Sequence, residues 1–331
     1  MRPPEAVYLH VGHGKTGSSF LQSALANSIP DLAARGIAYP LDPEVAARVA
    51  RGAISSGNLE PAPGHVARFT AQPVDQPRLL ISSEAWFNHL HPSGLLEALR
   101  HAYDGPAIHL LLCVRDPLDH AVSQYLQSVK RGGATEPFDA ALARYNMPAK
   151  VARFLTVLEG QADVTVRVCN YSRHRAGLLA LLADWLGVPK TVLHPPAQRR
   201  VNRSLTRAET EWMRLFNARL GVQAGALIAD PLCACLPDVV AEDPPATPDV
   251  VAAFLQRMAR MIDRQGLARW LAPSEAYHLP DAATALARFG PQDPPPPLAL
   301  SPAQMAVMVR ALSAAIRGSD PEGDPGVDGP A

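Results

Sequence analysis

The sequence predicts an α/β fold in which a central parallel sheet is flanked by helices and followed by a helical C-terminal extension. Apolar runs at 6–11, 78–84 and 107–114 are short and nearly continuous, and the second of them ends in polar residues. Strands that are buried on both faces of a parallel sheet have this composition. Because a helical pattern follows each run, we expect strands and helices to alternate along the chain.

The remaining elements follow from periodicity and end signals. Apolar residues recur at helical spacing after the first strand, and Gly36 is placed to end that helix. Residues 37–40 form either a short strand or an extended link, 53–77 lacks a sustained period and is predicted to be a loop, and 164–168 alternates as a strand does. Further helices are predicted at 44–51, 93–102, 118–130 and 137–158, before Gly187, and from Thr206, Thr247 and Ser301 onward.

Composition excludes several classes of partner. The 331 residues carry 31 Lys and Arg against 31 Asp and Glu, so no overall field attracts nucleic acid or an anionic membrane. An anion site must therefore be local. The N terminus has only a short apolar run, which predicts neither a signal peptide nor an anchor, and four cysteines without a ligand pattern predict reduced thiols in a cytoplasmic protein.

A glycine-rich stretch between the first strand and the first helix has the composition of a phosphate cradle. From His10 to Gln22 it runs HVGHGKTGSSFLQ. Glycines bring backbone N–H groups close to an anion, and the N terminus of the helix adds its positive dipole end. Lys15 supplies a cation, and Ser18 and Ser19 supply hydroxyls. The stretch is therefore predicted to bind the phosphates of a nucleotide.

The same stretch matches a Walker A loop poorly. Gly14-Lys15-Thr16 fits the end of that motif, but its first glycine would fall at Leu9. Residues 15–19, Lys-Thr-Gly-Ser-Ser, instead resemble the 5'-phosphosulfate loop of the sulfotransferase family, K-[ST]-G-[ST]-[ST], without a mismatch. The resemblance implies a P-loop NTPase-like sulfotransferase fold that binds 3'-phosphoadenosine 5'-phosphosulfate (PAPS). The cofactor-binding residues that it implies here are Gly14, Lys15, Thr16, Gly17, Ser18 and Ser19.

A second motif follows the apolar run 107–114. Arg115 ends the strand, and Ser123 stands eight residues further on, two turns into the predicted helix. This pair resembles the 3'-phosphate motif of the same family, in which the corresponding Arg and Ser hold the 3'-phosphate of PAPS. The two motifs lie at separate places in the chain, so together they argue that the resemblance is not a chance match.

Glu84 and His13 are the candidates for a catalytic base. Glu84 follows a buried strand, at the sheet edge where ligands bind in open α/β folds. Resemblance to bacterial sulfotransferase-like sequences implies that it takes the proton of the acceptor, while the alternative is a carboxylate that stabilises a helix N terminus. Many relatives have a His directly before the motif Lys. Here Gly14 holds that place, so His13 is either a second-choice base or a loop histidine.

Tyr171 is a candidate contact for the adenine. It follows the strand at 164–168, where the family often has an aromatic residue near the base. A tyrosine ring offers area for stacking, although the alternative is a core residue at the strand end.

The resemblance implies a PAPS-dependent sulfotransferase that modifies a hydroxyl or amine of a small-molecule or carbohydrate acceptor, with Lys15 assisting departure of the phosphate and no metal. An ATP-dependent kinase and a non-catalytic nucleotide-binding protein are the alternatives. The predicted domains are an α/β domain at 5–220, a helical extension at 221–317 that could cap the acceptor site, and a disordered tail at 318–331. The acceptor and the oligomeric state are not predicted.

Overall fold

The central feature of the fold is a parallel sheet. The computed structural model describes residues 3–51, 55, 57–89, 92–196, 203–289 and 299–317. In these residues five strands pair in parallel in the order β2-β3-β1-β4-β5. The strands are β1 Ala6–Gly12, β2 Ile37–Ala38, β3 Arg78–Ser82, β4 Ala107–Val114 and β5 Val164–Asn170. Helices flank the sheet, so the predicted α/β class is confirmed.

The helices account for most of the rest of the described chain. They are α1 Ser18–Asn27, α2 Ile29–Ala34, α3 Pro43–Ala50, α4 Pro63–Thr70, α5 Ala85–His89, α6 Pro92–Ala102, α7 Pro117–Arg131, α8 Phe138–Arg144, α9 Met147–Leu158, α10 Tyr171–His174, α11 Leu178–Leu186, α12 Arg207–Leu220, α13 Asp230–Cys235, α14 Pro248–Arg264, α15 Ala282–Phe289 and α16 Pro302–Arg317. None of these helices combines the length and the apolar composition needed to cross a membrane.

The strands form where the sequence is apolar because both of their faces are covered. Val7, Leu9 and Val11 of β1 are completely buried, as are the residues 110–114 of β4. Strand β1 lies at the centre of the sheet, with β3 on one side and β4 on the other. After β1 the chain continues to the β2-β3 side, and after β3 it crosses to β4. This reversal makes a switch point at the carboxyl end of β1, which is where open α/β sheets bind ligands.

Three predicted segments differ from the structure. The predicted first helix, expected to end at Gly36, is two helices, α1 and α2, with Ser28 between them and Pro30 in the first turn of α2. The predicted loop 53–77 contains a helix, α4, whose Phe69 is buried. The predicted helix 137–158 is two helices, because Pro148 lies in the first turn of α9. A proline lacks the N–H that a helix interior needs, but is tolerated where a new helix begins.

The chain divides into two compact units. The first consists of Met1–His120, Asn146–Val201 and Gln256–Leu279, and its described residues include all the strands of the sheet. The second consists of Ala121–Tyr145, Asn202–Leu255 and Pro280–Ala331, and its described elements are helical. This division differs from the predicted boundary at residue 220.

Hydrogen bonds between distant segments explain the difference. In the first unit the backbone N–H of Asn170 donates to Glu275 Oε2 at 2.6 Å, which ties a late segment of the chain to the end of β5. In the second unit the guanidinium of Arg203 makes a buried two-point contact with Glu209 and donates to the Leu232 carbonyl. Local sequence patterns do not report such contacts. The predicted tail at 318–331 lies outside the described residues.

Candidate functional site

The loop between β1 and α1 is tightly wound. Three of its residues have left-handed backbones, with φ of 75° at Gly14, 56° at Lys15 and 86° at Gly17. At Gly12 an added Cβ would lie 2.5 Å from the hydroxyl oxygen of Thr16. Glycine tolerates these conformations, but a left-handed lysine costs about 1–2 kcal/mol. Strain of this kind in a non-glycine residue is typical of functional loops.

The N terminus of α1 is open to an anion. Gly17 is its N-cap residue, no side chain caps it, and its first turn contains no acidic residue. The first N–H groups of a helix need partners from outside the helix, and the helix dipole favours a negative one. The buried hydroxyl of Thr16 also has no hydrogen-bond partner among the described residues. Both features point to a bound anion, because buried polar groups are normally satisfied.

Gly17→Ala is expected to destabilise the protein strongly. A Cβ at Gly17 would lie 2.7 Å from a methyl carbon of Leu178 and 2.7 Å from the ring of Tyr171. Gly160→Ala is the matched control, because Gly160 has a φ of 78° and open space around its Cβ position. The control should lose roughly 1–2 kcal/mol for the left-handed backbone alone. Gly17→Ala should lose about 1–3 kcal/mol more through the clash. Urea unfolding measures both losses, and equal losses would contradict the close packing at Gly17.

Glu84 lies two residues beyond the end of β3 and contacts this loop and the start of α1. Its Oε1 accepts a hydrogen bond from the Ser18 hydroxyl, and its Oε2 would lie 3.7 Å from a Cβ placed on Gly14. Burial raises the pKa of Glu84, while the Ser18 bond and the charge of Lys15 oppose the rise. The structure thus brings together a half-buried carboxyl group, a cation and the first hydroxyl of α1.

Arg115 and Tyr171 approach the loop from the ends of β4 and β5. Arg115 Nη1 donates to the carbonyl oxygen of Lys15 at 3.0 Å, and its guanidinium carbon lies 5.5 Å from the centre of the Tyr171 ring. The Tyr171 ring packs where a side chain at Gly17 would stand. Arg115 therefore supports the strained backbone of Lys15 and stacks on Tyr171.

His13 is buried beside a second histidine that the sequence did not single out. His13 Nδ1 lies 3.1 Å from His120 Nε2 and 3.2 Å from the carbonyl oxygen of Gly14. Burial lowers the pKa of His13 to about 4 and lowers that of His120 as well. Both rings are thus neutral near pH 7. His13 Nε2 is buried and has no partner within the described parts of the chain.

The sequence analysis also did not predict a polar network at the ends of β4 and β5. Asp116 Oδ1 accepts hydrogen bonds from Asn170 Nδ2 at 2.7 Å and from the backbone N–H of His278 at 2.9 Å. The backbone N–H of Asp116 donates to Ser172 Oγ at 3.1 Å. This network fixes the turn that follows Arg115. The only signal in the sequence was that Asp116 and Asn170 each stand at the end of an apolar strand.

The two remaining predicted cofactor-binding residues are Ser19 and Ser123. Ser19 is the second residue of α1 and is half-buried. Ser123 lies within α7, in the second compact unit, and its predicted contact with a 3'-phosphate stays a prediction. Within the described ranges, no three His, Cys, Asp or Glu side chains are grouped so that they could hold a metal ion.

Comparisons with known proteins do not assign a function to the chain, so the functional assignment is based on the geometry of the site. No protein-family model matches the chain, and no curated protein matches it as a relative.

Proposed function

We propose that the protein is a sulfotransferase that moves the sulfonyl group of PAPS to a hydroxyl or amine of a small-molecule or carbohydrate acceptor. The observation that carries the proposal is the left-handed loop at Gly14, Lys15 and Gly17, which leads into an uncapped helix N terminus beside Glu84. The Lys-Thr-Gly-Ser-Ser sequence of this loop supports the same donor.

The residues of the loop fit a 5'-phosphosulfate group. The backbone N–H groups at the start of α1, the buried hydroxyl of Thr16 and the cation of Lys15 would hold its oxygens, with Ser18 and Ser19 beside them. The guanidinium of Arg115 would bind the 3'-phosphate. Tyr171 would contact the adenine.

Transfer would need charge neutralisation and a base. The donor supplies an electrophilic sulfur and a phosphate leaving group. Lys15 would offset the negative charge that grows on the leaving oxygen as the S–O bond breaks. Glu84 would accept the proton of the acceptor while the acceptor oxygen or nitrogen bonds to sulfur.

Glu84 suits the role of base better than His13 does. Burial raises the pKa of Glu84, which strengthens it as a base, whereas burial lowers the pKa of His13 to about 4. Ser18 has a single hydroxyl proton, so it cannot donate to Glu84 and to a phosphate together. A phosphate that takes the Ser18 hydrogen bond would leave Glu84 Oε1 open to the acceptor.

Leu9 argues against the kinase alternative. A Walker A loop would need glycine there, but Leu9 is a completely buried residue in the middle of β1, paired with Ile81 and Leu110 on the neighbouring strands. The loop that the protein forms begins only after Gly12. This loop is therefore shorter than a Walker A loop, which would have to begin at position 9.

Transfer of label tests the proposal. Purified protein is incubated with sulfur-labelled PAPS and a set of hydroxylated acids, sugars and phenols, with a chelator present. We expect label to appear in at least one acceptor. Transfer of phosphate from labelled ATP with magnesium, and none from PAPS, would favour the kinase. Binding of adenosine 3',5'-bisphosphate without transfer to any acceptor would favour a non-catalytic nucleotide-binding protein.

A further inference from the structure

A cleft of about 780 Å³ lies beside the end of β3, between α3, α4 and the segment around Asn58. This volume is typical of pockets for small molecules. Apolar side chains of Val49, Leu59 and Phe69 line part of the cleft, and polar and charged side chains line the rest. The cleft therefore suits a small molecule with both an apolar body and polar groups.

The inner wall of the cleft is bonded to residues on both sides of Glu84 in the sequence. Asn58 is the main link, because its backbone N–H donates to the Ser82 carbonyl at 3.2 Å and its Oδ1 accepts from the Ser82 N–H at 2.9 Å. On the far side of Glu84, the indole N–H of Trp86 donates to the Leu59 carbonyl at 2.9 Å. The wall is thus fixed relative to the strand end that carries Glu84. Residues that line the cleft are therefore bonded to the residue two positions before Glu84 and to the residue two positions after it.

Two arginines line the same cleft. Arg48 belongs to α3 and Arg68 to α4, and both are exposed. In the described part of the chain neither guanidinium has an ion-pair partner.

The acidic residues of the cleft are already engaged. Asp42 accepts hydrogen bonds from two backbone N–H groups at the start of α3, and Glu60 lies 3.0 Å from His65 Nδ1. These contacts do not cancel the two carboxylate charges, but they hold both carboxylates against the protein, so the ionic groups that remain to donate hydrogen bonds to a ligand are the two guanidinium groups. A guanidinium binds an oxyanion through two parallel hydrogen bonds.

We infer that this cleft binds the acceptor, and that the acceptor is a small hydroxylated molecule carrying an oxyanion, either a carboxylate or a phosphate ester, that Arg48 and Arg68 hold. The inference rests on the proposed function for the transfer step, but the binding itself does not depend on that step. It narrows the acceptor from any hydroxyl compound to an anionic one.

Matched ligand pairs test the inference. The pairs are glucuronate with its methyl ester, 4-hydroxyphenylacetate with its methyl ester, and glucose 6-phosphate with glucose. Affinities are measured by calorimetry at about 0.15 M salt, where long-range attraction is screened. In at least one pair, the anion should bind about tenfold more tightly than its neutral partner. A preference for the acid over its ester identifies a carboxylate site, and a preference for the sugar phosphate identifies a phosphate site.

Arg48→Gln/Arg68→Gln should abolish this preference and leave the affinity for adenosine 3',5'-bisphosphate unchanged. The control is Arg35→Gln/Arg153→Gln, which makes the same change of charge at two exposed arginines outside the cleft lining. Equal binding of anion and neutral partner in every pair would overturn the inference, as would an equal loss of preference in the control.

The ligand pairs are measured both with and without the nucleotide. Failure of the protein to bind adenosine 3',5'-bisphosphate would count against the proposed function. A preference for the anion that persists without nucleotide would still support the cleft as an anion site.

Discussion

Glu84→Gln is expected to lower the rate of single-turnover sulfonyl transfer on the order of a hundredfold. The amide keeps the size of the side chain and an oxygen that can accept the Ser18 hydrogen bond, but it cannot take the proton of the acceptor. Because the proton leaves only during the reaction, the affinity for the nucleotide should hardly change. Transfer is measured with labelled PAPS and an acceptor found in the label-transfer experiment.

The pH dependence of the same reaction separates a base from a structural carboxylate. Burial raises the pKa of Glu84, so the active, deprotonated form should appear, and the rate should rise, as the pH increases through that raised value. Glu84→Gln should lose this rise. Glu97→Gln is the control, since Glu97 is exposed on α6. Near-normal turnover in Glu84→Gln would contradict its role as base and make His13→Ala the next variant to measure.

Lys15→Ala is expected to lower single-turnover transfer by about 10²–10³-fold. Alanine and lysine meet a similar penalty at a φ of 56°, and Arg115 bonds to the carbonyl of residue 15, which the variant retains. The change therefore removes the ammonium group with little effect on the backbone. Affinity for adenosine 3',5'-bisphosphate should fall by only about tenfold, the loss of one charge-assisted hydrogen bond.

The comparison of the two losses is the informative result for Lys15. A larger loss of rate than of affinity means that the ammonium group interacts more strongly with the transition state than with the bound donor. Equal losses would mean that Lys15 only binds the nucleotide. Lys15→Arg, which keeps a positive charge, should recover part of the affinity and less of the rate, because the guanidinium places its charge differently.

The sequence predicted the features that local chemistry determines. Both faces of β1 and β4 are covered, so their apolar runs were readable as strands. The left-handed turns at Gly14 and Gly17 need glycine, and the helix predicted from Thr206 onward begins there, with Thr206 as its N-cap residue and a capping box formed with Glu209. These features depend on residues close together in the chain, which a sequence pattern can report.

Contacts between distant residues could not be predicted in the same way. The approach of His120 to His13 joins residues 107 positions apart, and the bond from Asn170 to Asp116 spans 54. The cleft is another example. Its wall forms because Asn58 bonds to Ser82, 24 positions away, in a segment without helical or strand periodicity.

Binding of adenosine 3',5'-bisphosphate without metal is the most direct test of the central claim, that the loop at 14–19 and the end of β4 form a site for PAPS. Calorimetric titrations compare this nucleotide in the presence of a chelator with adenosine 5'-monophosphate and with ATP and magnesium. We expect adenosine 3',5'-bisphosphate to bind most tightly, with an affinity that magnesium does not change, and adenosine 5'-monophosphate to bind at least about tenfold more weakly because it lacks the 3'-phosphate. The claim would be contradicted if ATP with magnesium bound more tightly than adenosine 3',5'-bisphosphate, or if adenosine 3',5'-bisphosphate and adenosine 5'-monophosphate bound equally tightly.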